Sequence, residues 1–517
     1  MDHPATQMSA RMRWVVTLSC LSVALVVAAM AALYTALPHI ATETGATQGQ
    51  LTWIIDGYTL ALACLVLPAG ALGDRFGRRL MLLGGLAVFT AASIVPLIVH
   101  GPIWLIAARA VAGAGAAFVM PSTLSILTAG LPRERRNVAV GIWAGTVGVG
   151  AIVGILGSGL LLARFSWESI MIAMAAIGGV LTIATGTVPE SRDSSRPSFD
   201  PWGALTGAGA VALAVVAALE APQRGWASPV VIGAAIGALV VGAGFAVIEL
   251  RVTHPLLDVR LLARRGFGTG TASVALQFMV SFGLFMLIVQ YMQLILGYKP
   301  LMSAVAMAPM IVPMVGLALI SPWLAERFGL RLPTASGLAI VGVGLLTLGH
   351  LDQHSTFVDL LWPLLIMSTG LGLSAAPATA AIVNDAPPDK HGVAAAVNDA
   401  AREVGAAIGI ALAGSILAAG YSNRISSVIP LIPEQLRGPV SGSLAGALEV
   451  TARIGPQAQP LADAAEAAFV HGLHQATTVL GAATLVVAVA LGAWAPGRKP
   501  RTATPAPAAQ EVAVGVD

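Results

Sequence analysis

The chain has 517 residues, 56% of them hydrophobic and 10% charged, with a formal net charge of +3. Soluble domains carry about 25% charged residues, so a soluble globular fold is excluded and a polytopic membrane protein is indicated. The net charge gives no nucleic-acid signal, because the Lys and Arg residues sit in short stretches between apolar runs.

Apolar runs of about 20 residues, each long enough to cross a bilayer as a helix, recur along the chain. After a polar N-terminus at 1–13, spans are predicted at 14–37, 51–72, 80–99, 103–128, 138–162 and 170–188. The first run is too long for the core of a signal peptide and reads as a retained span. A polar linker at 189–201 precedes two spans, 202–219 and 230–250, which make up the segment 202–250. A basic loop at 251–266 follows. The last six spans are predicted at 267–296, 304–325, 332–348, 357–376, 393–418 and 469–494. Residues 419–468 read as a long outer loop, with 444–454 and 461–468 as short interfacial helices. The Ala- and Pro-rich segment 496–517 reads as a disordered cytoplasmic tail.

Loop charge gives an orientation for these fourteen spans. With the N-terminus inside, the loops on that side hold twenty Lys and Arg. The opposite loops hold six: Arg164, Arg224, Lys299, Arg424, Arg437 and Arg453. Arg109 and Arg402 lie within spans. By the positive-inside rule both termini are expected in the cytoplasm. Three Lys against 25 Arg, with abundant Ala and Gly, point to a GC-rich bacterial genome and hence a bacterial plasma membrane. Cys20 and Cys64 fall inside predicted spans and read as packing residues, not a disulfide.

One short charged segment occurs twice. Leu72, Arg75, Phe76, Gly77, Arg79 and Leu80 are matched by Leu324, Arg327, Phe328, Gly329, Arg331 and Leu332, and Asp74 by Glu326. The copies follow spans two and ten, whereas duplication of a six-helix unit would set them six spans apart. The surplus pair is assigned to 202–250. The expected fold is therefore all-α: six-helix bundles at 14–188 and 267–495 with a helix pair inserted between them. Duplicated bundles that rock against each other give alternating access in secondary transporters.

Candidate functional residues follow from placement. At the hinges, Gly70, Asp74, Arg75, Gly77, Arg78, Arg79, Glu326, Arg327 and Gly329 read as a conformational latch. The acid can cap a neighbouring helix or pair with Arg, and glycine permits the tight turn. The plainer alternative is a basic loop that only sets topology. Asp56 lies about 8 Å into span two and Arg109 about 9 Å into span four, both from the outer side. Charges at that depth need a partner or a wet cavity. Asp399 and Glu403 are one turn apart in span thirteen beside Arg402, with Glu403 about 15 Å in, near the midplane. These four, Asp56, Arg109, Asp399 and Glu403, are the candidates for proton coupling or cation recognition; static structural charges are the alternative. Gly150, Gly154, Ser158 and Gly159 give span five a smooth face on which helices can slide or simply pack. Tyr58, Trp143, Phe285, Met292 and Gln293 are candidates for a lipophilic substrate pocket. His471 and His474 are too few for a metal site. No stretch has the Gly-Lys-Ser/Thr ending of a phosphate-binding loop, so ATP-driven transport is not expected; nor is a metal, a cofactor, a nucleic-acid partner or an enzymatic activity.

The run Gly70-x-Leu72-x-Asp74-Arg75-x-Gly77-Arg78-Arg79 resembles the loop-two motif of the major facilitator superfamily in type, spacing and position. Arg109-x-x-x-Gly113-x-Gly115-Ala116-Ala117 resembles that superfamily's span-four motif, with Ala112 where Gln is usual. Fourteen spans, Trp53-Ile54-Ile55-Asp56-Gly57-Tyr58 and Val397-Asn398-Asp399-Ala400-Ala401-Arg402-Glu403-Val404-Gly405 resemble its fourteen-helix drug:proton antiporters. The sequence departs from that pattern at Ala29, where an acid is usual, and at Ile155, where the exporter motif has Pro. The resemblance implies proton-coupled efflux of lipophilic, cationic or amphipathic drugs by a monomer in the bilayer, with small molecules and protons as its partners. Its rivals are an exporter of an endogenous natural product or envelope lipid, and a membrane sensor that kept the fold without transport. Retention of both hinges argues against the sensor.

Overall fold

The computed structural model describes residues 9–497, except 47, 132, 192–199, 254 and 388–389. The tail 498–517 and most of the predicted linker lie outside the described residues. Among the described residues there is no strand, and fourteen helices are long and apolar enough to cross a membrane. The first six are α1 (Ala10–Thr35), α2 (Trp53–Phe76), α3 (Arg78–Ile98), α4 (Pro102–Ala129), α5 (Arg136–Leu162) and α6 (Glu168–Thr185). The inserted pair is α7 (Pro201–Ala221) and α8 (Pro229–Arg251). The last six are α9 (Arg265–Leu294), α10 (Leu301–Phe328), α11 (Arg331–His350), α12 (Phe357–Asp385), α13 (His391–Ile425) and α14 (Pro456–Trp494).

Each predicted span falls on one of these helices, but three helices run further than apolar content indicates. α12 passes through Pro377, where the predicted span stops. Proline removes one backbone hydrogen bond, and neighbouring helices in a membrane bundle keep the helix intact around it. α13 extends to Ile425. α14 absorbs 461–468, so that stretch is the start of the last helix and not a separate interfacial one. The segment Leu444–Ile454 is a helix, with Leu444, Ala447 and Val450 buried. It lies with the helix Glu434–Gly442 over the end of the second bundle, where Tyr421 donates its hydroxyl to the Val440 carbonyl at 2.8 Å.

Buried apolar side chains gather in two large clusters. One is drawn mainly from α1 to α6, around Tyr58, Phe89 and Trp143; the other comes from α9 to α14, around Tyr291 and Met292. Smaller clusters join the halves along α2 and α13. Ala63 of α2 and Ala407 and Ala411 of α13 pack with Val215 and Ala218 of α7. The inserted pair therefore covers the line where α2 meets α13. α8 is outermost, with only 11% of its most apolar window buried.

Gly77 and Gly329 close α2 and α10 with φ of 121° and 83°. Side chains with a β-carbon are strained there, and glycine lets the chain turn directly into the next helix. Both hinges lie at the same end of the molecule, as the intervening even number of spans requires.

Candidate functional site

Asp74 stands in the last turn of α2. Its Oδ1 accepts the backbone N–H of Gly392 at 3.0 Å, and its Oδ2 that of Val393 at 3.1 Å. It thus caps the first turn of α13 in the other bundle, where free N–H groups and the helix dipole favour an anion. Arg78 donates to Asp74 Oδ1 from Nη2 at 2.7 Å and from Nε at 3.1 Å. Asp74 and Arg78 are 2% and 3% exposed, so the pair is shielded from water. Gly70 and Gly392 permit the approach. A β-carbon on Gly392 would sit 2.5 Å from the Gly70 carbonyl oxygen and 2.7 Å from Asp74 Cγ. The other side of Arg78 is tied to the chain after α6, donating from Nη1 to Ser191 Oγ at 3.1 Å. Arg79 N–H donates to Glu190 Oε1 at 3.1 Å. Arg75 lies over the Phe76 ring.

The second hinge makes the equivalent connection from α10 to α5. Glu326 Oε1 accepts from Asn137 Nδ2 at 2.7 Å, and Asn137 Oδ1 accepts from Asn384 Nδ2 at 3.2 Å. Arg331 donates to the carbonyls of Ala493 and Ala495 at the end of α14, each at 3.3 Å. Arg327 lies over the Trp323 and Phe328 rings. Glu326 is exposed, so the first hinge is a buried ion pair and the second a polar surface contact.

Deeper in the bundle, Arg109 does not pair with Asp56. Its Nε donates to the Ile54 carbonyl at 3.2 Å and its guanidinium lies 4.2 Å from the centre of the Tyr58 ring. Tyr58 donates its hydroxyl to the Val26 carbonyl at 2.9 Å. Residues 54 and 58 share a face of α2, while Asp56 is two positions, about 200°, round the helix. Asp56 instead lies within electrostatic reach of Tyr34 and of Glu220 on α7. Glu220 is itself paired with Arg224. Tyr34 is exposed and Asp56 partly exposed.

Asp399, Arg402 and Glu403 are 0%, 3% and 5% exposed. The Arg402 guanidinium lies 4.6 Å from the Trp143 ring centre on α5 and 4.9 Å from that of Phe278 on α9. Trp143 is fixed by donating to Thr123 Oγ1 at 3.1 Å. Asn398 accepts from Thr379 Oγ1 at 3.1 Å and donates to Asp399 Oδ1 at 3.2 Å. Asp399 Oδ2, Glu403 Oε2 and two Arg402 nitrogens have no hydrogen bond. Buried polar atoms in that condition are costly. The cluster, held between the two bundles, can take up a proton or answer a cation.

The α5 glycines divide between two neighbours. Gly154 meets the Ala28 carbonyl oxygen (2.5 Å from an added β-carbon) and Gly150 meets Ala24, both on α1 within the same bundle. Ser158 hydrogen-bonds Thr35 at 2.7 Å, again on α1. The contact across the bundles uses Gly159 against Leu301, and Gly141, Gly145 and Gly148 against Ala318 and Met314 of α10. Sequence inspection missed Gly141 and Gly145; their four-residue spacing was the available signal. Among the pocket candidates, Tyr58, Trp143 and Met292 are fully buried packing residues in this conformation, while Phe285 and Gln293 are partly exposed. Ala29 is fully buried beside the α1–α5 contact.

A family model described as Major Facilitator Superfamily matches residues 19–410. The multidrug efflux pump LfrA of Mycolicibacterium smegmatis is 32% identical over 493 residues, covering 94% of this chain and 97% of that protein. The methyl viologen resistance protein SmvA of Salmonella typhimurium is 33% identical over 472 residues, covering 89% of this chain and 93% of its own. Among solved structures, the human organic anion transporter MFSD10 matches 94% of this chain and 100% of its own with a TM-score of 0.64. Its 14% identity limits that likeness to the fold.

Proposed function

We propose that this chain, which belongs to the Major Facilitator Superfamily, is a proton-driven exporter of lipophilic, cationic or amphipathic drugs in a bacterial plasma membrane. The observation that carries this reading is the cluster of Asp399, Arg402 and Glu403, buried between the bundles with polar atoms left open. Desolvation favours the neutral form of a carboxyl and Arg402 the ionised form, so rocking that wets or dries the cluster changes its hold on a proton. A cationic substrate satisfies the ionised acid as a proton does, which makes the two competitors. In this scheme Glu403, with Asp399, exchanges the proton. Asp56, near Tyr34, recognises the cation, and Arg109 braces α2 against α4. The names of the two bacterial relatives, a multidrug efflux pump and a methyl viologen resistance protein, support export of such compounds.

The twenty-to-six loop charge asymmetry supports cytoplasmic termini and puts both hinges on the cytoplasmic side. The Asp74–α13 and Glu326–α5 contacts then hold that side closed, and substrate release to the outside proceeds from this state. One chain supplies both faces of the moving interface, so a monomer suffices. The test is a pH-gradient assay in inverted vesicles with methyl viologen as the probe. Its addition should release protons from acid-loaded vesicles in the wild type and not in Glu403→Gln. Methyl viologen uptake that ignores the gradient would overturn proton coupling while leaving export standing.

A further inference from the structure

The inserted pair carries a second buried pair of acids, separate from Asp399 and Glu403. Glu249, in the last turn of α8, is 3% exposed, and Asp200, just before α7, is 7% exposed. Asp200 Oδ1 accepts the N–H groups of Trp202 and Gly203, each at 3.0 Å. Glu249 Oε2 accepts the N–H of Leu257 at 3.1 Å. The remaining oxygens, Asp200 Oδ2 and Glu249 Oε1, are buried without a hydrogen-bond partner. They meet at Gly203: a β-carbon there would lie 2.8 Å from Asp200 Oδ2 and would collide with Glu249 Oε1.

Two carboxylates forced together in a water-poor site do not both ionise. Lys390 is within electrostatic reach of Glu249, but its Nζ donates to the Pro255 carbonyl at 2.9 Å. Arg251, on the same helix, is exposed. In the adjoining loop Asp258 caps the Arg260 N–H, and Arg264 donates to the Asp385 carbonyl. None of these cations hydrogen-bonds the open oxygens. Among the described residues no group of three or more His, Cys, Asp or Glu could hold a metal ion. Two open acceptors beside Gly203, with no third ligand among the described residues, fit a proton.

We infer that Asp200 and Glu249 form a proton-binding site, with one proton shared between Glu249 Oε1 and Asp200 Oδ2, that clips the inserted helix pair to the hinge latch. Leu257 and Pro255 belong to the loop between α8 and α9. Lys390, which holds Pro255, immediately precedes α13, whose first amides bind Asp74. The far end of the pair is tied to α13 as well, Trp226 Nε1 donating to Ser415 Oγ at 2.8 Å. With the proton bound, the loop stays against α13 and the latch stays closed. With the proton lost, two like charges repel and push Glu249, with the loop whose Leu257 N–H it holds, away from Asp200, and the line between α2 and α13 loosens. Raising the pH on the hinge side therefore favours opening. The site does not depend on Glu403 being the coupling acid.

The test uses the full chain in lipid nanodiscs without substrate. Difference infrared spectra should show a protonated-carboxyl carbonyl band at neutral pH that disappears in both Glu249→Gln and Asp200→Asn. Amide hydrogen exchange of the loop 255–264, corrected for its intrinsic pH dependence, should accelerate with pH by up to about tenfold per unit as one proton is lost. In Glu249→Gln that acceleration should vanish. A band unchanged in both variants, or a loop whose corrected exchange is flat with pH in the wild type, overturns the site. The wild-type exchange profile decides the matter even where a variant does not fold.

Discussion

The carboxylate of Asp74 accepts the backbone N–H of Gly392 at 3.0 Å, although the two residues are 318 positions apart and belong to different bundles. One side chain thus satisfies helix-end donors, pairs with Arg78 and fixes the relative position of the two halves. The roles share one side chain: its two oxygens cap the helix, its charge pairs with Arg78, and its approach needs glycine at positions 70 and 392.

The first prediction concerns that contact. Asp74→Asn should reach the membrane at normal levels and lose transport by roughly tenfold or more. Removing one partner of a buried ion pair costs on the order of 3–5 kcal/mol, and Asn keeps one acceptor where two helix amides and Arg78 need satisfying. Initial efflux rates normalised to protein level measure it. Normal rates would reduce the segment to a topology signal.

The glycines of α5 should separate folding from motion. Gly141→Leu pushes against the Ala318 carbonyl oxygen of α10, which an added β-carbon would approach to 2.7 Å. Its expected effect is lost transport with a folded first bundle. Gly154→Leu meets Ala28 inside one bundle, and overpacking there costs about 1–3 kcal/mol, so reduced thermal stability is expected. Gly157 has nothing within 4 Å of an added β-carbon, and Gly157→Leu should be silent. Melting curves and efflux rates on the three variants test the division, which collapses if Gly157→Leu behaves like Gly141→Leu.

Asp56 and Glu403 should fail in different ways. Asp56→Asn is expected to abolish binding of cations and with it every mode of transport. Glu403→Gln should retain exchange of labelled for unlabelled cation while losing accumulation driven by a pH gradient. Counterflow and gradient-driven uptake in proteoliposomes separate the two. Full gradient-driven uptake in Glu403→Gln would move the coupling role to Asp56 or Asp399.

Topology can be read by labelling single cysteines in a background lacking Cys20 and Cys64. A reagent confined to the outside should reach Ser422→Cys, exposed in the last turn of α13, and should miss Ser195→Cys, between α6 and α7. The reverse pattern would invert the orientation and with it the assignment of the hinges to the cytoplasm.

Much of the architecture was legible because it is written locally. A run such as 80–99 holds no charged residue, and no soluble fold tolerates fourteen spans of such apolar character. Lys and Arg mark loops for an electrostatic reason that operates residue by residue. The hinge was visible because duplication left Arg75, Phe76 and Gly77 matching Arg327, Phe328 and Gly329. The site was legible only as a set of residues. Depth along a helix put Asp56 and Arg109 at the same level of the bundle, but depth says nothing of rotation. The structure turns Ile54 and Tyr58 toward Arg109 instead. The same limit hid the split of α5, whose Gly150 and Gly154 pack inside one bundle while Gly141 and Gly148 cross to the other.

The sequence alone determined the number of spans, the duplicated plan and the types of charged residue kept in the membrane, because apolar length, loop charge and repetition are one-dimensional properties. The tertiary structure decided which charges meet. Asp74 reaches Gly392, Arg402 lies between Trp143 and Phe278, and Asp200 and Glu249 both reach Gly203. Those meetings depend on how helices rotate and approach in three dimensions. That is set by the packing of distant small residues, which no stretch of neighbouring sequence contains.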